Sequence, residues 1–210
     1  CQTMAYNTDI SAVSVCVVAV SHSSLGTDNG YLASFSNKCG KVSSYCIAAP
    51  GDRIYSLTES GTYTFASGTS MAAPMVSGGL AIIMEEFSSL TPAQVVSRLL
   101  STANDSGEYS QTSIYGHGLM NLNAATAAVG SLQTINGNNL LDDPNTSYND
   151  LVDNSFLSSA AFSNALSSAL NGQTMEVYDS FDRANFDVAI DSFFTSGSYT
   201  SQNTIENHMA

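Results

Sequence analysis

A nearly uninterrupted apolar run at residues 14–21 (SVCVVAVS) constrains the fold of this chain more than any other segment. Its β-branched residues are typical of a strand, and the lack of polar alternation indicates that both faces of the strand are covered. Strands of this kind occur in parallel sheets flanked by helices. The run therefore predicts an α/β fold with a largely parallel sheet and helices on both faces.

Four shorter segments downstream are further strand candidates: residues 31–36, 46–49, 53–57 and 63–66. Pro50 and Gly51 close the second of them, and residues 59–61 (ESG) form a turn signal between the last two. The pattern after residue 66 predicts helices.

The stretch 71–84 carries no charged residue. Apolar side chains recur through it and just beyond at helical spacing: Val76, Leu80, Ile83 and Phe87. Met75 and Ile82 cover much of the remaining circumference, so we expect a helix that is buried on nearly all sides, with Met75 as a packing residue. Gly78 and Gly79 cost about 1 kcal/mol each in helix propensity, which close approach to a neighbouring element would compensate.

A second helix begins with Thr91, Pro92 and Gln94, the pattern of a capping box with proline at the first helical position. Its apolar face runs over residues 95–103, and a third helix is expected at residues 121–128.

Charge and composition limit the partners and divide the chain. Five Lys and Arg against 18 Asp and Glu give a net charge of −13, which excludes a basic surface for nucleic acid but leaves cationic partners and peptides open. No apolar run reaches the roughly 20 residues of a membrane-spanning helix, and no signal peptide opens the sequence. Residues 131–210 hold ten acids and one base. We therefore expect one unit at 1–130 and an acidic, Asn/Ser-rich extension or linker at 131–210.

Within the extension, residues 136–154 are expected to form a linker or irregular loop, residues 156–170 a helix, and residues 175–194 strands or an edge hairpin. The remaining surface is polar mainly through hydroxyl and amide groups, which suits an exported protein.

Four cysteines occur, and their spacing does not fit a zinc site: Cys1, Cys16, Cys39 and Cys46. Cys39 and Cys46 enclose a short loop, which a disulfide would stabilise by roughly 2.5 kcal/mol; two unrelated thiols are the alternative. Cys16 lies in the apolar run and is expected to be a buried thiol. A disulfide favours an oxidising compartment.

Residues 67–74 (SGTSMAAP) carry the chemistry. Small residues lead into the start of an apolar helix, so the Ser70 hydroxyl is expected beside backbone amides that favour developing negative charge. That position suits a nucleophile, although a plain helix-capping serine has the same geometry.

The motif G-T-S-M-A-x-P at Gly68, Thr69, Ser70, Met71 and Pro74 resembles the nucleophile signature of subtilisin-like serine proteases. Other segments follow in the order of that family: residues 15–20, 33–37 (ASFSN), 48–51 (AAPG), 115–121 (YGHGLMN) and 124–125. The similarity covers residues 10–129. It implies a subtilisin-like α/β fold, an endopeptidase acting on polypeptides through an acyl-enzyme, Ser70 as the nucleophile, and the Ser70 N–H as half of an oxyanion hole.

The resemblance implies no cofactor for the chemistry, and it leaves structural calcium, which is common in the family, undecided. No D-x-D-x-D-G loop occurs, and we expect the clustered acids to form a solvated run rather than a metal site: Asp142, Asp143, Asp150 and Asp153.

The chain departs from the family pattern in two ways. Met75 stands where the family usually has His, with little expected effect on catalysis. More importantly, the family's Asp, His and oxyanion-hole Asn motifs do not occur between Cys1 and Ser70. The histidines and early aspartates that do occur are expected to be solvated loop, surface or turn residues: His22, His117, His208, Asp9, Asp28 and Asp52.

We therefore expect Cys1 to lie mid-domain, with the missing groups in an N-terminal half upstream, and the chain to be inactive alone. A Cys1 terminus is also typical of a mature lipoprotein. A non-catalytic scaffold, a pseudoprotease or a surface passenger, is the alternative function; the intact motif argues against it.

The pair Cys39/Cys46 and residues 177–186 (VYDSFDRANF) are similar to subtilisin-like proteases of bacterial autotransporters. That similarity implies a passenger extension leading to a C-terminal barrel and a secreted or cell-surface location. A simple acidic spacer is the alternative for the extension.

Overall fold

The computed structural model describes residues 8–21, 31–133, 156–159, 168–190 and 194–197; for residues 8–9, 156–159 and 194–197 it describes the backbone alone. The chain divides into two compact units, Cys1–Ala127 and Ala128–Ala210.

The first unit runs in the order α1 (Thr8–Ser11), β1 (Cys16–Val20), a 3₁₀ segment (Gly40–Tyr45), β2 (Cys46–Pro50), β3 (Ile54–Leu57), β4 (Tyr63–Ala66), α2 (Thr69–Glu86), α3 (Pro92–Ser101), a second 3₁₀ segment (Gly107–Ser110), α4 (Thr112–Tyr115) and α5 (Leu122–Ala125). The second contains β5 (Leu132–Gln133), β6 (Phe156–Ser159), β7 (Thr174–Asp179), β8 (Asn185–Ala189) and β9 (Phe194–Gly197).

Strands β1 and β2 pair in parallel, with Cys16 opposite Cys46 and Val20 opposite Pro50. One face of the pair packs in a cluster with the first 3₁₀ segment and α4: Cys16, Val18, Val20, Cys46, Ala48, Cys39, Val42 and Tyr115. The alternating residues Ala19, Ile47 and Ala49 are also fully buried, and α2 packs against both strands. The predicted parallel strand with both faces covered is therefore confirmed.

Residues 31–36 do not form the predicted strand. Leu32 makes a single antiparallel bridge to Val20, and residues 34–35 form a turn. The Ser36 Oγ accepts a hydrogen bond from the Ala19 N–H at 2.9 Å. The Ser36 side chain thus occupies a backbone N–H of β1 that would otherwise be free to pair with a neighbouring strand.

Helix α2 forms as predicted, but the prediction that it is buried nearly all round is wrong for the described part of the chain. Four residues of one stripe are buried: Ala72, Val76, Gly79 and Ile83. Met75, Ile82 and Met84 are 40%, 50% and 48% exposed. Met75 is therefore not the packing residue that the sequence suggested. Apolar periodicity identifies side chains that can be buried, but it does not identify what covers them.

Only one of the two glycines in α2 has the expected close neighbours. A Cβ at Gly79 would lie 2.9 Å from Leu122 Cδ2 and 3.0 Å from Met120 Sδ, whereas a Cβ at Gly78 would have none of the described residues within 4 Å. Gly79 therefore allows the α5 segment to approach the helix.

Among the described residues, strands β3 and β4 pair only with each other, as an antiparallel ribbon with Ile54 opposite Ala66 and Leu57 opposite Tyr63. The ribbon confirms the two predicted strands and the turn between them. Because paired residues share a face, four large side chains lie together on one exposed face: Tyr55, Leu57, Tyr63 and Phe65. The Tyr55 ring stacks on that of Tyr63, with centroids 5.4 Å apart, and packs at a tilt of 44° against the Phe65 ring, with centroids 4.9 Å apart.

The capping box of α3 is confirmed. Thr91 Oγ1 accepts a hydrogen bond from the Gln94 N–H, and the Thr91 N–H donates to Gln94 Oε1 at 2.9 Å. The third predicted helix is shorter than expected and is confined to α5, Leu122–Ala125, where the Asn121 side chain caps the Ala124 N–H.

All three described cysteines form disulfides. Cys39 bonds to Cys46, and the loop between them is a 3₁₀ segment with Val42 buried rather than a simple exposed loop. Cys16 is disulfide-bonded to a partner outside the described residues, so the predicted free thiol is wrong. An apolar neighbourhood accommodates a half-cystine as readily as a thiol, and for that reason the pattern could not separate them.

In the second unit, β7 pairs with β5 on one side and with β8 on the other, both antiparallel. Leu132, Val177 and Val188 form its core. The predicted strands within 175–194 are confirmed as the β7–β8 hairpin. The helix expected over residues 156–170 is wrong at its start, because residues 156–159 form β6, which pairs in parallel with β9, whereas residues 168–170 are helical. The linker predicted at 136–154 lies outside the described residues.

Candidate active site

The N-terminus of α2 lies at the carboxyl end of the β1–β2 pair. Gly51 directly follows β2 and donates its N–H to the Val20 carbonyl at 3.0 Å, while the Gly68 N–H donates to the Gly51 carbonyl at 2.7 Å. Gly68 is the N-cap, and its carbonyl accepts from the amides of Met71 and Ala72 at 3.0 and 3.2 Å. Backbone hydrogen bonds thus join the end of β2 to the start of α2. This is the edge of the sheet at which α/β proteins bind ligands.

Close packing at Gly51 requires the absence of a side chain. A Cβ there would lie 2.6 Å from Ala19 Cβ, 2.9 Å from the Gly68 oxygen and 3.0 Å from Ala72 Cβ. Glycine therefore lets the first turn of α2 sit directly against the end of the strand.

Ser70 is the second residue of α2 and is exposed. Among the described residues, neither its Oγ nor its N–H takes part in a hydrogen bond. The N–H belongs to the first turn, whose amides have no acceptor within the helix, and the dipole of this 18-residue helix adds positive potential there. The position beside Ser70 therefore favours a negatively charged group.

Pro74 lies within α2, four residues after Ser70. Because proline has no N–H, the Ser70 carbonyl lacks its usual donor from the next turn. The helix nevertheless continues to Glu86. Thr69, the first residue of α2, is exposed, and Met71 is half-buried.

A side-chain pair that the sequence did not reveal lies just before the motif that contains Ser70. Ser67 Oγ donates to Asp52 Oδ1 at 2.6 Å and accepts the Arg53 N–H at 2.9 Å. Asp52 is a turn residue, as predicted, but its carboxylate binds the segment that carries Ser70. The hairpin register was the available signal: with Ile54 opposite Ala66, Arg53 comes opposite Ser67.

His117 is not brought to Ser70. Its N–H donates to the Cys46 carbonyl, at the first residue of β2, and its Nε2 lies 3.1 Å from the Ser44 oxygen. Ser70 follows the opposite end of that strand. At 3.3 Å per residue, Cys46, which binds His117, and Gly51, which binds Gly68 just after β2, are about 16 Å apart along the chain. His22, His208 and Asp28 lie outside the described residues, and Asp9 lies in α1.

In the part of the chain that the structure describes, no group of three or more His, Cys, Asp and Glu side chains could hold a metal ion. The acids at 142, 143, 150 and 153 lie outside it. No helix among the described residues has both the length and the apolar character needed to cross a membrane.

Residues 3–118 match the subtilase family, a family of peptidases, and the chain belongs to that family. It is 39% identical over 101 residues to serotype-specific antigen 1 of Mannheimia haemolytica, covering 45% of this chain and 11% of that protein. It is 44% identical over 79 residues to subtilisin DY of Bacillus licheniformis, covering 38% of this chain and 28% of that protein. It is 34% identical over 121 residues to an extracellular serine protease of Serratia marcescens, covering 47% of this chain and 12% of that protein. The chain thus spans between 11% and 28% of the length of these relatives.

Proposed function

We propose that this chain supplies the nucleophile of a serine endopeptidase, with Ser70 Oγ attacking the scissile carbonyl of a polypeptide to give an acyl-enzyme. One observation carries the proposal: Ser70 is exposed on the first turn of a long helix, at the carboxyl edge of a parallel sheet, in a chain of the subtilase family. The Ser70 N–H would donate to the oxyanion as the tetrahedral intermediate forms. This acyl transfer needs no cofactor.

The general base, its orienting carboxylate and a second oxyanion donor are proposed to lie in sequence outside this chain. Two observations support this division: the chain spans a small part of each relative, and His117 lies at the far end of β2. A serine hydroxyl without a base is a weak nucleophile, and triad residues act as a unit. We therefore expect the 210-residue chain to be inactive by itself.

The test is Ser70→Ala in the complete protein, with Ser77→Ala as the matched control on the same helix. Ser77 Oγ already donates to the Ala73 carbonyl and takes no part in the proposed chemistry. We expect Ser70→Ala to abolish both peptide hydrolysis and labelling by a fluorophosphonate, with thermal unfolding nearly unchanged. Hydrolysis retained in Ser70→Ala would remove Ser70 from the mechanism. Failure of the unsubstituted complete protein to be labelled would favour a non-catalytic scaffold.

A secreted or cell-surface location is the matching proposal for the compartment. It is supported by the disulfides of the described cysteines, which persist in oxidising surroundings. The printed names of two relatives, an extracellular protease and a serotype-specific antigen, agree with it.

A further inference from the structure

The segment that leads into Ser70 is tied to the turn after β2 by three hydrogen bonds. One is the backbone bond from the Gly68 N–H to the Gly51 carbonyl at 2.7 Å. The other two share a single atom, Ser67 Oγ, which donates to Asp52 Oδ1 at 2.6 Å and accepts the Arg53 N–H at 2.9 Å.

The Asp52 carboxylate determines how the Ser67 hydroxyl is used. An ionised carboxylate only accepts hydrogen bonds, so the hydroxyl proton points to Asp52 and a lone pair of Ser67 Oγ remains for the Arg53 amide. A hydrogen bond to a carboxylate is also stronger than one between neutral groups. Removal of the Ser67 hydroxyl would therefore break both side-chain bonds at once.

Arg53 adds a conformational reason for this arrangement. Its φ is 52°, in the left-handed region that non-glycine residues rarely adopt. Two contacts hold Arg53 in this conformation. Its N–H donates a hydrogen bond to Ser67 Oγ, and its guanidinium stacks on the Phe65 ring, 5.4 Å from the centroid. The turn is thus kept in an unfavourable conformation by contacts to the segment that precedes the nucleophile.

The geometry of this segment bears directly on Ser70. The Gly68 carbonyl accepts both the Met71 and the Ala72 amides, so a shift of residues 67–68 moves the whole first turn of α2. Nucleophilic attack depends steeply on the placement of the attacking atom, and a displacement of about 1 Å can reduce the rate on the order of a hundredfold.

We propose that Asp52 and Ser67 are positioning residues for the reaction of Ser70, and that they act through the bridge between residues 51–53 and 67–68. This inference rests on the proposed function of Ser70. Because Asp52 and Ser67 act only through the placement of Ser70, loss of their hydrogen bond lowers the rate of acylation and leaves the binding of substrate nearly unchanged.

The experiment compares variants of the complete protein by kcat, by KM and by the rate of labelling with a fluorophosphonate. We expect Ser67→Ala to lower kcat and the labelling rate about tenfold, with KM within about twofold. Ser67→Thr keeps the hydroxyl and is expected to restore most of the rate. The kcat of Asp52→Ala should lie between those of Ser67→Ala and Ser67→Thr. The double variant Asp52→Ala/Ser67→Ala should be no slower than Ser67→Ala, because both residues contribute to the same bridge.

Ser56→Ala is the matched control. It removes an exposed hydroxyl from β3, close in sequence to Asp52, and the Ser56 Oγ has no hydrogen bond among the described residues. The inference is overturned if Ser67→Ala matches Ser56→Ala in kcat, or if the losses of the two single variants add in the double variant. A Ser67→Ala loss that appears equally in KM, or that Ser67→Thr does not rescue, also contradicts it. Ser70→Ala, run alongside, separates the two proposals: retained hydrolysis there overturns both, whereas loss there with normal Ser67→Ala kinetics overturns the positioning role alone.

Discussion

At the scale of single residues, Arg98 shows how this fold holds a charge in its interior. Its side chain is completely buried on α3. The guanidinium donates from Nε to the Ala125 carbonyl and from Nη2 to the Ala127 carbonyl, both at 2.6 Å, and lies 4.5 Å from the centre of the Phe87 ring. Carbonyls at the end of a helix lack amide donors, so Arg98 satisfies groups that α5 leaves open.

We expect Arg98→Met to lower the free energy of unfolding by roughly 3 kcal/mol, because two buried carbonyls lose charged donors. Arg53→Met is the matched control, since Arg53 also stacks on a phenylalanine ring but is exposed; its effect should stay within about 0.5 kcal/mol. Urea unfolding of the 210-residue chain measures both. Equal losses in the two variants would mean that ring stacking, and not the carbonyl bonds, carries the contribution of Arg98.

Sequence patterns were least informative about such individual contacts. Arg98 interrupts an apolar face, and no spacing rule indicates that its partners come from residues 125–127. The Asp52–Ser67 bond joins positions 15 residues apart, and it becomes visible only through the register of the hairpin. By contrast, Ser70 could be identified as a candidate because its motif is contiguous. Contacts across long separations depend on the fold, which local pattern does not specify.

At the scale of elements, α2 has one face packed and another open. Ile83 is fully buried and Ile82, its neighbour in sequence, is 50% exposed. The buried stripe recurs at Ala72, Val76, Gly79 and Ile83, the spacing of one helix face. Adjacent isoleucines therefore differ in their contribution to stability.

We expect Ile83→Ala to cost about 3 kcal/mol in unfolding free energy, from lost burial and the cavity left behind. Ile82→Ala, which is identical in chemistry and one position away, should change it by no more than about 0.5 kcal/mol. Urea denaturation of both variants of this chain gives the comparison. A cost for Ile82→Ala as large as that for Ile83→Ala would show that the open face is covered in solution.

Elements were predicted best where local chemistry decides their form. The capping box at Thr91 and the hairpin around residues 59–61 rely on neighbouring residues, and both form. Residues 31–36 and 156–159 have short apolar patterns that fit a helix or a strand, and their form depends on partners that pattern does not name. The first segment became a turn with one bridge, and the second a strand.

At the scale of the whole molecule, the phenols of two neighbouring tyrosines, the buried Tyr115 and the half-buried Tyr109, link stability to pH. Burial raises the pKa of Tyr115, and burial together with the charge of Tyr115 raises that of Tyr109. The two rings pack edge to face, with centroids 5.2 Å apart. The Tyr115 hydroxyl accepts the Leu32 N–H at 3.2 Å and lies 3.4 Å from Glu108 Oε1, which it can approach only as a donor. A phenolate would lose that donation and face a carboxylate.

The folded chain therefore binds these two phenolic protons more tightly than the unfolded chain does. Their contribution to stability is fully present below the ordinary tyrosine pKa of about 10, and it is lost as the pH rises through the higher pKa of the folded state. Between those two values, each such tyrosine lowers the free energy of unfolding as the pH rises, by at most about 1.4 kcal/mol per pH unit. In a chain with a net charge of −13, every further negative charge also adds to repulsion in the compact state.

We expect Tyr115→Phe to cost about 1 kcal/mol at neutral pH, because the Leu32 amide loses its acceptor, and to flatten the fall of stability above about pH 10. Tyr55→Phe, on the exposed ribbon, is the matched control and should keep the alkaline slope of the parent. Urea unfolding at a series of alkaline pH values measures the slope, and near-ultraviolet absorbance follows phenol ionisation among the ten tyrosines. A Tyr115→Phe slope equal to that of the parent would mean that Tyr115 ionises alike in the folded and unfolded chains, and burial around α4 would then not account for alkaline unfolding.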